Sequence, residues 1–314
     1  MSASTQRNTN LAAFIKLAAI VTAVFSVATF FGQFHRLVEQ FSHFRMQYLA
    51  IALILAVLLV LLRYRSWALF MFAIVIINTL PVAPWYMGPG ASGESGFKIL
   101  HANVYADNDD ARRLIELIAA EQPDLVFLQE INERWVADLA GLSAGYPFRH
   151  VEARADKFGI AVFARKPPVN VDTIVTPPNG YPSLRLTMNV AGNPLTVMST
   201  HATSPIGRAR IDARNAQLAS IGGQLAGIAG PRILIGDLNT SMWSHQHALL
   251  VSTTGLRNAR RGFGVLPTWP AQLPIAMIPI DHCLVSEEIS VLELKTGTRI
   301  GSDHLPLIVT LALP

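Results

Sequence analysis

The sequence predicts an α/β layered domain set behind an α-helical membrane segment of three spans. Three observations carry that prediction. Three apolar stretches crowd residues 11–85 with few charges between them, and from residue 97 apolar runs of strand length recur, interrupted by two stretches of helical periodicity. The composition agrees: 51% of the 314 residues are hydrophobic and 15% charged, where a soluble domain carries about 25% charged residues.

The apolar stretches are 11–31, 46–62 and 66–85. Each approaches the ~20 residues needed to cross a bilayer as a helix. A cleaved signal peptide accounts only for the first, and three in succession exceed what a small core can bury. Lys16 lies near the start of the first span, where its stem can snorkel to the headgroups, and Trp67, Trp85 and Tyr86 bracket the third as interfacial anchors do. Arg7, Lys16, Arg63 and Arg65 fall on one side, while Arg36 and Arg45, offset by Glu39, share the other with the rest of the chain. The positive-inside rule then puts the N-terminus in the cytoplasm and the C-terminal domain outside. The net charge of +4 resides entirely in residues 1–96, so the remaining 218 residues are neutral.

Gly88-Pro89-Gly90-Ala91-Ser92-Gly93 reads as a turn-rich joint, giving a linker over 88–96 and a separate domain over 97–314. In that domain, strands are predicted at Lys98–Val104, Leu125–Gln129, Gly159–Ala164, Leu184–Val190, Leu195–Thr200, Arg232–Gly236, Ile280–Ser286 and Leu307–Leu313. Helices are predicted over Asp109–Glu121, with Asp107 or Asn108 as N-cap, and over Arg208 to about Ala226, because apolar residues recur there at helical spacing. One cysteine, Cys283, excludes both an intramolecular disulfide and a thiolate metal cluster.

What ends these strands is informative. HANV carries Asn103, FLQE ends in Glu130, MSTH in His201, and LIGDLN carries Asp237 and Asn239; IDH begins with Asp281, and GSDHLP puts Asp303 and His304 before the last strand. Carboxylates, amides and imidazoles are costly beside a core, so six such edges indicate a shared polar site. Glu130 and Asp303, with Asn103, are hard ligands that suit Mg²⁺ or Mn²⁺. Two histidines with carboxylate neighbours supply a proton donor and a phosphate-contacting cation. Hydrolysis of a phosphodiester or phosphomonoester by metal-activated water uses this set.

In this order, HANV, LQE, STH, GDLN, IDH and SDHLP resemble the endonuclease/exonuclease/phosphatase superfamily over residues 97–314, and the three spans ahead of them resemble bacterial inner-membrane members of it. The resemblance implies two mixed sheets packed face to face with helices outside, and a site at one edge of the sandwich. It implies Glu130 as principal Mg²⁺ ligand with Asn103 beside the metal, Asp237 orienting or deprotonating the attacking water, and Asn239 bonding the phosphoryl oxygens. Asp303 completes the metal site or orients His304, whose imidazolium stabilises the transition state; His201 is the general acid and Asp281 a supporting carboxylate.

Two departures narrow the analogy. Tyr105 stands where abasic-site endonucleases often carry an acid, and STH stands where they carry a Tyr, so the histidine-bearing DNase and sphingomyelinase branches fit better. Thr-Ser-Met-Trp after GDLN departs from inositol polyphosphate 5-phosphatases. Arg208, with Arg210 and Arg214, either clamps a phosphate or lies on a solvated helix face; Trp269 either lines the substrate pocket or packs.

The function expected is a membrane-anchored, Mg²⁺-dependent phosphoric-ester hydrolase of the bacterial inner membrane with its catalytic domain facing outward. Its partners are the lipid bilayer and a phosphoester substrate, a phospholipid or lipid-linked phosphate being favoured by the anchor. A membrane-anchored nuclease is the alternative, disfavoured by a neutral domain with few basic runs. A catalytically silent scaffold is the third reading, opposed by the completeness of the motif set.

Overall fold

The computed structural model describes residues 3–88, 96–190 and 192–313. Contacts divide the chain into two units, Met1–Pro84 with Trp243–His245, and Trp85–Met242 with Gln246–Pro314. Most of the joint expected at 88–96 lies outside the described residues.

The first unit contains α1 (Ala3–Ala28), the short α2 (Arg36–Gln40), α3 (Arg45–Leu61) and α4 (Arg65–Val82). Three helical segments, Asn10–Phe31, Arg36–Leu61 and Arg65–Tyr86, are long and apolar enough to cross a membrane. Where α1, α3 and α4 meet, small side chains such as Ala19, Ala23, Ala52 and Ala56 are buried beside Leu59 and Met71, as expected where helices approach closely in lipid. Asn78 Nδ2 of α4 donates to Ser26 Oγ of α1 at 2.9 Å, a polar tie between two otherwise apolar helices. Phe14, Ile54, Leu69 and Leu80 point outward and are exposed, the reverse of a soluble bundle.

The second unit contains two six-stranded mixed sheets flanked by helices. The first runs in the order β11 (Ser290–Thr296), β12 (Leu307–Ala312), β1 (Phe97–Asn103), β2 (Leu125–Gln129), β4 (Ile160–Ala164), β3 (Phe148–Glu152). The second runs β5 (Asn170–Thr176), β6 (Tyr181–Val190), β7 (Asn193–Thr200), β8 (Arg232–Asp237), β10 (Asp281–Val285), β9 (Arg257–Asn258). Parallel pairing of β1 with β2 requires a crossover, supplied by α5 (Arg112–Glu121), and α7 (Arg208–Ala226) does the same between β7 and β8. Two further helices, α6 (Glu133–Asp138) and α8 (His245–Thr254), complete the outer layers.

Continuous apolar strands arise because the central strands are covered on both faces. Ile99, Leu125, Phe127, Leu184, Val197 and Ile235 face the interior between the sheets. Their neighbours Leu100, Val126 and Leu128 pack outward against Leu114 and Ile118 of α5 and Trp135 of α6, while Met198, Leu234 and Leu284 pack against Leu218 and Ile221 of α7. Each fully buried Leu or Ile contributes about 1.5–3 kcal/mol relative to exposure. The helix expected over Asp109–Glu121 starts at Arg112, because Asn108 Oδ1 accepts from Asp110 N and Asp110 Oδ1 from Arg112 N, stacking two side-chain turns ahead of the helix. Asn108 is therefore not the N-cap; its amide donates to the carbonyls of Val104 and Ile300.

Topology gathers the polar motifs. β1, β2, β7 and β8 end at one edge of the sandwich, and β10 and β12, antiparallel to β8 and β1, begin there. A motif after four strands and before two others thus meets at one rim.

Candidate active site

At this rim the apolar interior gives way to paired polar side chains. His101 shares the inward parity of Ile99 on β1, and its Nε2 lies 2.9 Å from Asp281 Oδ1 on the opposite sheet. Gln129, fully buried and of the inward parity of Phe127, bridges the sheets: its Nε2 donates to Thr200 O at 2.8 Å and its Oε1 accepts from Asp237 N at 3.0 Å. Gly236 makes this bridge fit. Its φ is +150°, and a Cβ there would stand 2.1 Å from Thr200 O and 2.7 Å from Gln129 Nε2. Gly236→Ala is expected to destabilise the unit by about 3 kcal/mol or more, read as a lowered Tm of the full chain in detergent; an unchanged Tm would show that the sheets do not rely on this contact.

Asp281 is wholly buried and uses both oxygens, Oδ1 with His101 and Oδ2 with His304 Nδ1 at 2.8 Å. Burial opposes its charge, but the two imidazoles prevail and hold its carboxyl well below the usual range. Burial likewise disfavours the cationic form of His304, yet Asp281, with Asp237 and Asp303 beyond it, raises its pKa to about 10. His304 is therefore an imidazolium at neutral pH. Its Nε2 lies 3.8 Å from Asp237 Oδ2, and His201 Nε2 lies 3.6 Å from the same oxygen, so Asp237 faces both histidines. His201 packs against the Phe158 ring at 4.9 Å, and Phe158 stacks on Tyr181.

The GDLN turn is held from several sides. Asn239 takes a left-handed backbone (φ 49°), its N–H donates to Asp237 Oδ1, and its Nδ2 donates to Ala202 O and Asp237 Oδ2. Arg214 donates to Asn239 O at 2.9 Å, and His282 Nε2 to Thr240 O at 2.8 Å. His282, His247, Asn258 and Arg260 form a buried network beneath the turn; burial, reinforced by the Arg260 charge, lowers both histidine pKa values, that of His247 to about 3, so both stay neutral and each accepts from Asn258 Nδ2.

Glu130, at the end of β2, also has a left-handed backbone (φ 65°), a conformation that non-glycine residues hold mainly where function or surrounding contacts demand it. Asn103 Nδ2 donates to its Oε1 at 3.1 Å and Ala106 N to its Oε2 at 3.0 Å. The Asn103 carbonyl accepts from Ser302 Oγ at 2.7 Å, tying this corner to the segment that carries Asp303. Asp303 Oδ2 accepts from Trp269 Nε1 at 3.0 Å, whereas its Oδ1 is buried and has no hydrogen-bond partner among the described residues. Separately, one donor atom each from Asp237, Asp281 and His304 lie within 4.8 Å of one another, close enough to hold a cation.

All six motif edges thus meet at this rim, linked by Gln129, Ser302 and the shared Asp281. Trp269 joins them by bonding Asp303, with its ring 6.5 Å from that of His304. Arg208 is exposed on the first turn of α7; the arginine that reaches the site is Arg214, two turns on and fully buried. Motif reading passed over His101 and Gln129, and among the three arginines of α7 it favoured Arg208 over Arg214. The first two carried a signal, since a His and a Gln at inward-facing positions of apolar strands need partners across the sandwich.

Solved structures share this fold over about 70% of the chain. D. rerio TDP2, solved in complex with a single strand DNA product, is 19% identical over 70% of this chain and 100% of its own, with a TM-score of 0.61. An endonuclease/exonuclease/phosphatase from Beutenbergia cavernae is 22% identical over 70% of this chain and 72% of its own, with a TM-score of 0.58. Sphingomyelinase C from Streptomyces griseocarneus is 19% identical over 69% of this chain and 99% of its own, with a TM-score of 0.52. No curated protein matches the chain by sequence. The family model described as the Endonuclease/Exonuclease/phosphatase family matches residues 100–304, nearly two thirds of the chain and every motif at the rim, and the chain belongs to that family.

Proposed function

We propose that the protein is a membrane-anchored, divalent-metal-dependent phosphoric-ester hydrolase. The observation that carries this reading is Asp237 facing two histidines, one of them held cationic by the fully buried Asp281. Buried charge organised in this way suits a reaction in which negative charge builds on phosphoryl oxygens.

The donors fit a hard divalent cation. The unpartnered buried oxygen of Asp303 invites a positive charge, and Glu130 and Asn103 complete an all-oxygen set. The alternative trio of Asp237, Asp281 and His304 is less suited, because its nitrogen ligand would be the His304 ring, which is itself positive. When bound, Mg²⁺ or Mn²⁺ neutralises phosphate charge and acidifies water.

The remaining steps belong to the chain. Asp237 orients a water for in-line attack and accepts its proton as the new O–P bond forms. Asn239 and cationic His304 hold the phosphoryl oxygens as charge grows on them. His201 donates a proton to the leaving oxygen as its bond to phosphorus breaks. Asp281 and His101 keep His304 charged and aimed.

Residues 97–314 carry no net charge, whereas nucleic-acid enzymes are commonly basic, which supports a smaller or headgroup-sized phosphoester. The cluster of Arg7, Lys16, Arg63 and Arg65 on one side of the spans supports a catalytic unit on the opposite face of the membrane. The test is hydrolysis by the full chain in nanodiscs of bis-p-nitrophenyl phosphate, phospholipids and single-stranded DNA. EDTA-sensitive turnover of a small or lipid phosphoester is expected; absence of EDTA-sensitive hydrolysis across the panel would sink the proposal.

A further inference from the structure

Among the described residues from 96 onward, the large exposed hydrophobics are Val169, Val175, Ile206, Leu249, Leu273 and Ile275. Isolated exposed hydrophobics are ordinary. Their distribution here is not, since four of the six stand at the rim that carries the active site. Val175 precedes the β5–β6 turn, whose Tyr181 stacks on Phe158 beside His201, and its register partner Pro182 adjoins Ser183, which pairs with Thr200. Ile206, 74% exposed, tips the loop that leaves His201 for α7. Leu273 and Ile275, 53% and 81% exposed, tip the loop that leaves Trp269 and is anchored by Ala271 N donating to Asp303 O. The bases beside these tips are themselves exposed: Arg208 and Arg210 follow Ile206, and Arg299 donates to Ala271 O at the root of the second loop.

Apolar tips flanked by arginines, around the mouth of a polar site, match the chemistry of a bilayer interface: the aliphatic groups enter the acyl boundary and the guanidiniums meet anionic headgroups. The same chain carries helices long and apolar enough to cross a membrane. Ten residues separate Tyr86, the end of the last helix able to cross a membrane, from β1 at Phe97, a reach of about 35 Å at full extension. A nucleic-acid partner fits less well, since isoleucine offers no stacking face and the unit has no net positive charge. We infer that the loops around Ile206 and Ile275 dock the active-site rim onto an anionic phospholipid bilayer, so that the substrate is a phosphoester presented in that bilayer. This deepens the hydrolase reading and rests on it for the substrate, though the docking can be measured without catalysis.

The test uses the full chain in nanodiscs containing anionic lipid. Cys283 is fully buried and burial pushes its thiol up to about 12, so a cysteine introduced at an exposed site takes an environment-sensitive fluorophore selectively. Labels at Ile206→Cys and Ile275→Cys are expected to shift to the blue and be quenched by spin-labelled lipid. A label at Glu287→Cys, beyond the far end of β10, is expected to do neither. Equal, water-like emission at all three positions would overturn the docking, as would a response at 206 and 275 to single-stranded DNA and not to lipid. In parallel, Ile206→Ser/Ile275→Ser is expected to lower turnover of bilayer phospholipid by about tenfold per side chain and to leave turnover of water-soluble bis-p-nitrophenyl phosphate unchanged. Equal loss on both substrates, or none on phospholipid, would overturn the bilayer substrate. Silence of the unmodified protein on every phosphoester would remove the hydrolase reading and the substrate with it, while the fluorophores still decide the docking.

Discussion

Replacing His304 with alanine is expected to lower kcat by ~10³-fold or more with the fold retained. The imidazolium is fixed at the rim by the buried Asp281 carboxylate, bonded at 2.8 Å and facing Asp237. Its contribution grows as the phosphoryl oxygens gain charge, so kcat and kcat/KM are expected to fall together while substrate affinity changes little. Asp281→Asn is expected to reproduce much of the loss, because it weakens the hold on His101 and His304 at once. Steady-state kinetics of the full chain in nanodiscs, alongside its Tm, would check this. A variant that kept its kcat, or one whose loss tracked a collapse in Tm, would remove His304 from the chemistry.

The second large effect is expected at Glu130. Glu130→Gln is expected to cut activity by ~10²–10³-fold and to abolish stabilisation by Mg²⁺, which for a site saturated at a hundred times Kd is about 2.7 kcal/mol. The substitution is nearly isosteric, yet both neighbours of the carboxylate, Asn103 Nδ2 and Ala106 N, are donors. An amide can accept from only one of them, leaving the other against an NH₂ group and lowering metal-free stability by about 1 kcal/mol. Thermal shift of wild type and variant across a Mg²⁺ titration reads both quantities without any substrate. Identical Mg²⁺-dependent shifts in the two proteins would remove Glu130 from the metal site and favour the Asp237, Asp281 and His304 trio instead.

The eight strands legible in the sequence are the eight inner ones. The four it did not disclose, β3, β5, β9 and β11, are the four sheet edges. Phe148–Glu152, Asn170–Thr176 and Ser290–Thr296 are half-buried and carry charged or polar residues along their length, as edges do to resist pairing with another chain. Continuous apolar runs mark strands covered on both faces, so a search for such runs stops one strand short of every edge. Tyr181–Ser183, at the start of β6, escaped for a similar local reason, since Pro182 interrupts the run. At the site, motif residues were legible because they end strands, whereas Gln129 and Arg214 act through backbone groups of Thr200, Asp237 and Asn239. Such backbone partners leave no trace in the identity of neighbouring residues, and only the pairing of the sheets brings them together.

His101 and Asp281 are 180 residues apart in the chain and share one buried hydrogen bond. β1, made early, finds one of its two neighbours in β12, some two hundred residues later. Pairings of this range place the second unit among slow folders. A ribosome-bound chain that has formed only β1 and β2 holds His101 with no carboxylate to meet it and Glu130 with no Asp303 segment to close the corner. The rim therefore assembles in a single late event, and limited proteolysis between the sheets should yield no fragment that retains it.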